Sequence, residues 1–198
     1  MSGLRERKKL QTQEALSWAA LRLTVERGLD QVLVEDIAAA AGVSPRTFNN
    51  YFSNKAEAIA WRHLNRARQA ADRIRERPRS EPLWESITRA VVAHAGGEHD
   101  QPDPQWTAGV RLMMDEPALL GEFLKAGAKA AEECAVAIAE RTGTEPTDLY
   151  PRLVAAAIGA ANQAATEQWV RANPPVPLAP LLEDALRQIA AGLPDPSA

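Results

Sequence analysis

The chain of 198 residues is 45% hydrophobic and 25% charged, a composition typical of an ordinary globular protein with one or two domains. Its single cysteine, Cys134, excludes an internal disulfide and fits a reducing compartment. No apolar run approaches the roughly 20 residues that span a bilayer, and the basic start lacks the apolar segment of a signal peptide. We therefore expect a cytoplasmic protein with no membrane partner.

The charge is unevenly distributed along the chain. Residues 1–79 hold 15 Lys and Arg against 9 Asp and Glu, a net charge of +6, whereas residues 80–198 hold 8 against 17, a net charge of −9. A basic segment in an otherwise acidic chain favours a polyanionic partner for that segment. The alternative is that these charges only solvate helix surfaces.

The chain begins with a basic segment, residues 1–9, which is either a frayed terminus or an arm that touches phosphates or the minor groove. Its cations are Arg5, Arg7, Lys8 and Lys9. The spacing of apolar residues then predicts a first helix over 11–27 that Gly28 ends, followed by a connection at 29–33.

The stretch 34–55, VEDIAAAAGVSPRTFNNYFSNK, predicts two short helices joined by a tight turn, with a third helix starting at its end. Apolar residues of the first of these helices follow the i, i+3, i+4, i+7 spacing of one face: Val34, Ile37, Ala38 and Ala41. Gly42 ends that helix because glycine accepts a left-handed backbone, Ser44 caps the next one, and Pro45 suits its first turn. This is the helix-turn-helix pattern, whose second helix usually enters the DNA major groove.

The residues of the motif form two groups, one apolar and one polar. Apolar side chains should form the small core that fixes the angle between the helices: Ile37, Ala41, Val43, Phe48 and Phe52. Arginine pairs with guanine, asparagine with adenine, and hydroxyl groups suit phosphates, so the polar residues are candidate DNA contacts. The predicted DNA-binding residues are Ser44, Pro45, Arg46, Thr47, Asn49, Asn50, Tyr51 and Lys55. The alternative is a solvated helix face.

Helical patterns continue through the rest of the chain, with no repeat and no strand pattern. Predicted helices cover 55–77, 82–95, 104–115, 117–141, 147–173 and 178–192, with Asn54 and Thr147 as caps. We expect an all-α fold of about nine helices. It divides into a three-helix DNA-binding domain at 1–54 and a helical ligand-binding and dimerisation domain at 55–198. The helix at 55–77 links the two, and we expect only one or two of its arginines near DNA.

The motif resembles the DNA-binding domain of the tetracycline-repressor (TetR) family over about residues 10–60. The positions that match the family pattern at fixed spacing are Gly28, Val34, Asp36, Ile37, Ala38, Ala41, Gly42, Val43, Ser44, Thr47, Tyr51, Phe52 and Lys55. Three positions depart from it: Leu33 stands where a capping Thr is frequent, Arg46 where a small residue is frequent, and Asn49 where a phosphate-contacting Tyr is frequent. These departures leave the operator sequence open.

The resemblance implies a homodimeric transcription regulator, usually a repressor, that binds a pseudo-palindromic double-stranded operator. It also implies that the last two long helices form an intersubunit bundle, with an interface that we assign to Leu153, Ala157, Ala160, Ala161, Ala164, Leu182, Leu186 and Ile189. A small molecule bound among the middle helices would then lower operator affinity. An activator and a ligand-independent regulator of the same fold remain alternatives.

Aromatic, methionine and aliphatic residues of the body are a candidate lining for a mainly apolar effector, although each also fits a plain core. They are Trp84, Ile87, Val91, Trp106, Val110, Met113, Phe123 and Trp169, with His94 and Arg111 as candidate polar anchors. We expect no cofactor and no metal, because the acidic loop HAGGEHDQPD matches no known ligand spacing. The sequence has no phosphate loop, cysteine pair or supported nucleophile–histidine spacing, so we expect no enzyme, and a helical ligand carrier is the other alternative.

Overall fold

A computed structural model describes residues 2–93, 104–173 and 175–195, which form nine α-helices, one short 3₁₀ helix and no β-strand. This confirms the predicted all-α class. The helices are α1 Ser2–Arg27, α2 Val34–Ala40, α3 Pro45–Asn49, α4 Lys55–Glu76, α5 Leu83–Val92, α6 Pro104–Asp115, α7 Pro117–Thr142, α8 Leu149–Arg171 and α9 Leu178–Ala190, and the 3₁₀ helix is Leu29–Gln31. Among the helices in these ranges, none is both long enough and apolar enough to cross a membrane.

Two helix starts differ from the sequence prediction by more than one residue. Helix α1 begins at Ser2 rather than at residue 11, so the basic start is helical and is not a frayed end. The apolar pattern missed these turns because they are polar, although Arg, Lys, Glu and Gln are good helix formers. Thr147 does not cap α8, because the chain at Asp148 is still extended and its carboxylate accepts the Glu145 N–H at 3.0 Å in the preceding turn.

The chain folds into two compact units. Unit 1 contains the described residues of Met1–His63 together with Pro104–Ala126. In unit 1, α1 packs against α2 and α6, and Leu16, Ile37 and Phe48 are fully buried. Gly109 allows α6 to approach α1 closely, since a Cβ at this position would lie 2.8 Å from Leu21 Cδ1.

Unit 2 contains the described residues of Leu64–Asp103 and of Gly127–Ala198. Its core joins buried aliphatic side chains of five helices, and α8 and α9 pack along each other. The large members of this core are Ile74, Ile87, Ile138, Val154, Ile158, Leu182 and Leu186. The predicted functional division between residues 54 and 55 remains a proposal.

The connection between α4 and α5 in unit 2 is held by one arginine. The guanidinium of Arg141 donates to three backbone carbonyls, those of Arg77 at 3.0 Å, Pro78 at 2.6 Å and Glu81 at 2.8 Å. A proline-containing segment leaves carbonyls without helical donors, and Arg141 supplies the missing donors. The connection between α4 and α5 is therefore held in one conformation by Arg141.

A carboxylate stabilises the same connection. Glu81 pairs with Arg77, accepts the Ser86 hydroxyl at 2.6 Å and lies 3.3 Å from Arg89. The hydrogen bond from Arg77, followed by that from Ser86, lowers the pKa of Glu81 to about 2. The carboxylate is therefore ionised throughout the physiological pH range.

Candidate nucleic-acid interface

The turn before α3 follows the local chemistry that the sequence predicts. Gly42 has a φ of 70°, in the left-handed region, and the Val43 N–H donates to the Ala38 carbonyl at 2.9 Å. Ser44 then caps α3, because its Oγ accepts the Thr47 N–H at 3.2 Å. These contacts fix where α3 starts and how it leaves α2.

One face of α3 is anchored by aromatic packing. The Phe48 side chain is fully buried, its ring centroid lies 5.8 Å from that of Phe52, and the Phe52 ring lies 6.2 Å from that of Trp61 on α4. Offset and edge-on aromatic pairs of this kind add to the stabilisation that burial provides. The opposite face is open, with Arg46, Asn49 and Asn50 exposed.

The other predicted DNA-binding residues are less uniform. Ser44 and Pro45 are exposed, whereas Thr47 and Tyr51 are half-buried. The Thr47 hydroxyl lies 2.9 Å from the Ser44 hydroxyl, so the two form a local pair. The structure thus brings these residues together on one short segment, and their contacts with DNA remain a prediction.

Lys55 has an internal role that the sequence did not reveal. Its ammonium donates to the carbonyl of Leu29 and, at 3.0 Å, to that of Val32, both in the connection between α1 and α2. The side chain is half-buried. Lys55 therefore ties the start of α4 to the segment that leads into α2, which competes with its predicted contact with DNA.

Helix α2 starts without a capping hydroxyl group. Leu33 occupies the N-cap position with an extended backbone and is 59% exposed. Its backbone N–H donates to the Asp36 carboxylate at 3.2 Å, and Asp36 also lies 3.8 Å from Arg27. Asp36 thus supplies one half of a capping box, and the expected loss of the side-chain cap at Leu33 is confirmed.

Several arginines of α4 contact partners within the chain, although Arg68 and Arg73 are exposed. The ion pairs from α4 and the residue after it include Arg68–Glu133, Arg75–Glu140, Arg75–Asp72 and Arg77–Glu81. In unit 1, the Arg62 guanidinium lies 3.9 Å from the centroid of the Trp18 ring, and burial lowers its pKa. The partners of Arg68 and Arg75 were invisible in the sequence because they lie 65 residues away, whereas Glu81 is only four residues from Arg77.

Only some of the candidate effector-lining residues lie in the part of the chain that the structure describes. Trp84, Ile87 and Val91 lie on α5 in unit 2, where Ile87 is fully buried in the core and the other two pack against it. Trp169 is buried in the same unit. His94 and the side chains of Trp106 and Met113 lie outside the described residues.

The remaining two lining candidates belong to unit 1. Val110 is buried, and the half-buried Phe123 packs its ring against His63 with centroids 4.7 Å apart. An open cleft of about 640 Å³ lies elsewhere, at the junction of α8 and α9 in unit 2, and is lined by residues that include Glu167, Arg171 and Leu181. A common effector pocket for the predicted residues therefore stays a prediction.

The predicted dimer residues fall into two groups. Leu153, Ala160 and Ala164 are exposed on the outer side of α8, where Leu153 is 61% exposed, and Ala157 and Ile189 are half-buried. In contrast, three members are buried inside unit 2 itself: Ala161, Leu182 and Leu186. The first group can meet a second chain directly, whereas the second group supports its own helices from within.

No group of three or more His, Cys, Asp or Glu residues suited to a metal occurs in the described part of the chain. The acidic loop at 94–103 lies outside it. Cys134 is buried, and burial raises its thiol pKa to about 11, so this thiol is a poor nucleophile.

Comparison with known proteins gives two family matches. Residues 18–59 match the family described as bacterial regulatory proteins, tetR family, and residues 81–194 match the MftR C-terminal domain of TetR-type regulators. The second match alone covers more than half of the chain. Together they account for the helix-turn-helix segment and most of the helical body.

Individual relatives agree with these matches. The chain is 31% identical to the HTH-type transcriptional regulator TcmR of Streptomyces glaucescens, over 84% of this chain and 76% of that protein. It is 28% identical to MftR of Mycobacterium tuberculosis, over 94% and 93% of the two chains. A TetR-family regulator from Syntrophomonas wolfei has the same fold, with a TM-score of 0.64, 18% identity and coverage of 94% and 98%.

These relatives regulate transcription, which confirms the prediction of a regulator rather than an enzyme. Regulators of this kind bind DNA and typically act as dimers that respond to small molecules. The chain belongs to the TetR family of bacterial transcription regulators.

Proposed function

We propose that the chain is a homodimeric repressor that binds a pseudo-palindromic operator and is released by a small, mainly apolar effector. Two α3 helices of a dimer would enter major grooves on one face of the DNA, about 34 Å apart or a multiple of that distance. An effector that prefers the conformation unable to match this spacing lowers operator affinity through its differential affinity alone.

The observation that carries the proposal is the exposed polar face of α3, a helix whose opposite face is anchored by buried aromatic side chains. Arg46, Asn49 and Asn50 are exposed, while Phe48 is fully buried on the other side. Arginine can bind guanine O6 and N7 with two hydrogen bonds, and asparagine can bind adenine N6 and N7 in the same way. We assign base reading to these three side chains and phosphate contacts to Tyr51 and the Ser44–Thr47 pair.

This assignment is tested with an operator selected from a pool of random duplexes by binding to the wild-type chain. Arg46→Ala and Asn50→Ala should each reduce the preference for the selected sequence over a scrambled duplex by about 1–3 kcal/mol. Arg73→Ala removes an exposed cation of α4 and serves as the control, with no expected loss of preference. If the wild type selects no sequence at any salt concentration, the regulator proposal fails. If the wild type selects a sequence and both variants prefer it as strongly as the wild type does, the contact assignment fails.

The dimer proposal rests on apolar surface of α8. Leu149, Tyr150 and Leu153 are 80%, 49% and 61% exposed, and contiguous exposed apolar surface is typical of interaction sites. Leu153→Glu should dissociate the dimer in sedimentation velocity experiments. Leu124→Glu changes a leucine on α7 that is 68% exposed and should leave the sedimentation coefficient unchanged. Equal behaviour of the two variants would contradict the assignment of the interface to α8.

The effector proposal rests on the apolar character of the α5 face that carries Trp84 and Val91. Compounds that quench tryptophan fluorescence should also release the selected operator, and apolar members of a library should do so more often than acidic or cationic members. A reporter gene under the selected operator should be expressed more strongly without the protein or with such a compound. Lower expression without the protein would indicate an activator.

A further inference from the structure

At least eight of the 15 cations among residues 1–79 interact with other groups of the chain. Ion pairs engage Arg22, Arg27, Arg68, Arg75 and Arg77, the Lys55 ammonium binds two backbone carbonyls, Arg62 lies over the Trp18 ring, and Arg79 donates to the Glu140 carbonyl at 3.4 Å. The positive charge that the sequence offers to a polyanion is therefore larger than the charge that the folded chain leaves available.

The start of α1 is different. In the described part of the chain, no carboxylate pairs with Arg5, Arg7, Lys8 or Lys9, and all four side chains are exposed on helical turns. Arg5 lies 11 residues before Leu16, the first buried residue of α1, which corresponds to roughly 16 Å of helix at 1.5 Å per residue. A basic rod thus extends beyond the core of the unit that carries the helix-turn-helix.

The helical repeat assigns these cations to different sides of the rod. Steps of three and four residues back from the buried Leu16 reach Thr12, Lys9 and Arg5, so Arg5 and Lys9 continue the side that α1 turns toward its own unit. Arg7 lies on the opposite side. Arg5 and Lys9 therefore lie on the side of α1 that faces the rest of unit 1, which includes α3.

We propose that Arg5 and Lys9 bind the DNA phosphate backbone outside the bases that α3 reads. A double-stranded DNA partner is favoured because α3 and these cations belong to the same compact unit. Lysine and arginine bind phosphates without reading sequence, so this contact adds affinity and salt dependence but no discrimination between bases. The inference rests on the proposed DNA-binding function of α3.

The test compares two double variants that remove the same charge from the same helix. Arg5→Gln with Lys9→Gln and Arg7→Gln with Lys8→Gln keep good helix formers at every position. The slope of log Kobs against log salt concentration is measured for each protein with the selected operator and with a scrambled duplex. Each phosphate contact contributes about 0.9 to that slope, so loss of two contacts per subunit flattens the slope of a dimer by about 3.6.

We expect this flattening for Arg5→Gln with Lys9→Gln on both duplexes, with the preference for the operator unchanged, and less than half of it for the other pair. An unchanged slope, or equal effects of the two pairs, overturns the proposal while the selected operator still supports DNA recognition by α3. Loss of binding to vesicles containing anionic phospholipid, with DNA binding intact, also overturns it and indicates a lipid surface instead. Circular dichroism of both variants checks that α1 is retained.

Discussion

Replacing Lys55 with methionine separates the two roles that this residue can have. The structure assigns its ammonium to the carbonyls of Leu29 and Val32, whereas the sequence assigns it to a phosphate. A charged donor contributes about 1.5–3 kcal/mol per hydrogen bond, and removing it also leaves two partly buried carbonyls without this partner. Methionine keeps most of the apolar stem, so packing of the stem changes little.

The opposing term is smaller. Lys55 is the first residue of α4, where a cation is unfavourable to the helix dipole by about 0.3–1 kcal/mol, and methionine relieves this cost. Two such hydrogen bonds less the dipole cost give an expected decrease of about 2–6 kcal/mol in the free energy of unfolding for Lys55→Met. Arg73→Met, which removes an exposed cation further along α4, should change it by less than about 0.5 kcal/mol.

The assay is urea unfolding of both variants, combined with the salt dependence of operator binding. A structural role predicts lower stability with a salt slope like that of the wild type. A phosphate contact predicts the reverse, with stability within about 0.5 kcal/mol of the wild type and a slope that is flatter by about 0.9 per subunit. The second result would refute the structural role assigned to Lys55.

Three further predictions concern single positions. Ser44→Ala should lower the free energy of unfolding by about 1 kcal/mol and Ser44→Gly by only a few tenths, measured by urea unfolding, because the hydroxyl caps α3; equal effects would contradict this. The contribution of Glu81 is present above about pH 4.3 and lost as pH falls toward 2, so Glu81→Gln should flatten the pH dependence of the urea midpoint in that window, whereas Glu132→Gln should not. Gly159→Ala and Gly127→Ala should each raise the free energy of unfolding by about 0.5–1 kcal/mol, measured by thermal unfolding, since no atom lies within 4 Å of the added methyl group. A decrease at Gly159 alone would indicate a partner chain against α8.

The parts of the fold that sequence reasoning predicted are those set by neighbours along the chain. Ser44 and Gly42 act within a few residues of themselves, so their roles follow from residue type and position. The buried state of Ile37, Phe48 and Phe52 likewise follows from helical spacing. Local rules failed at two helix starts: at α1, whose polar turns have no apolar period, and at α8, where Thr147 is not the cap.

The features that the sequence did not reveal join distant positions. Lys55 reaches a carbonyl 26 residues earlier, and Arg141 reaches carbonyls that lie 60 to 64 residues earlier. Residue type does not reveal these contacts, because every residue has a backbone carbonyl and a lysine or arginine can donate to any of them. The pairing of Arg68 and Arg75 with carboxylates of α7 is hidden in the same way, which is why these arginines looked available to solvent or DNA.

A helix of five residues such as α3 cannot be stable by itself, because nucleation of a helix costs more than so few hydrogen bonds return. Its position must come from the Ser44 cap, from the burial of Phe48 and from α4, which carries Trp61 against Phe52. None of the exposed residues of α3 takes part in that support. Arg46, Asn49 and Asn50 can therefore vary with little effect on the fold, and two of these three are positions where the chain departs from the family pattern. Under the proposed assignment, stability and DNA specificity therefore depend on different residues of the same short segment.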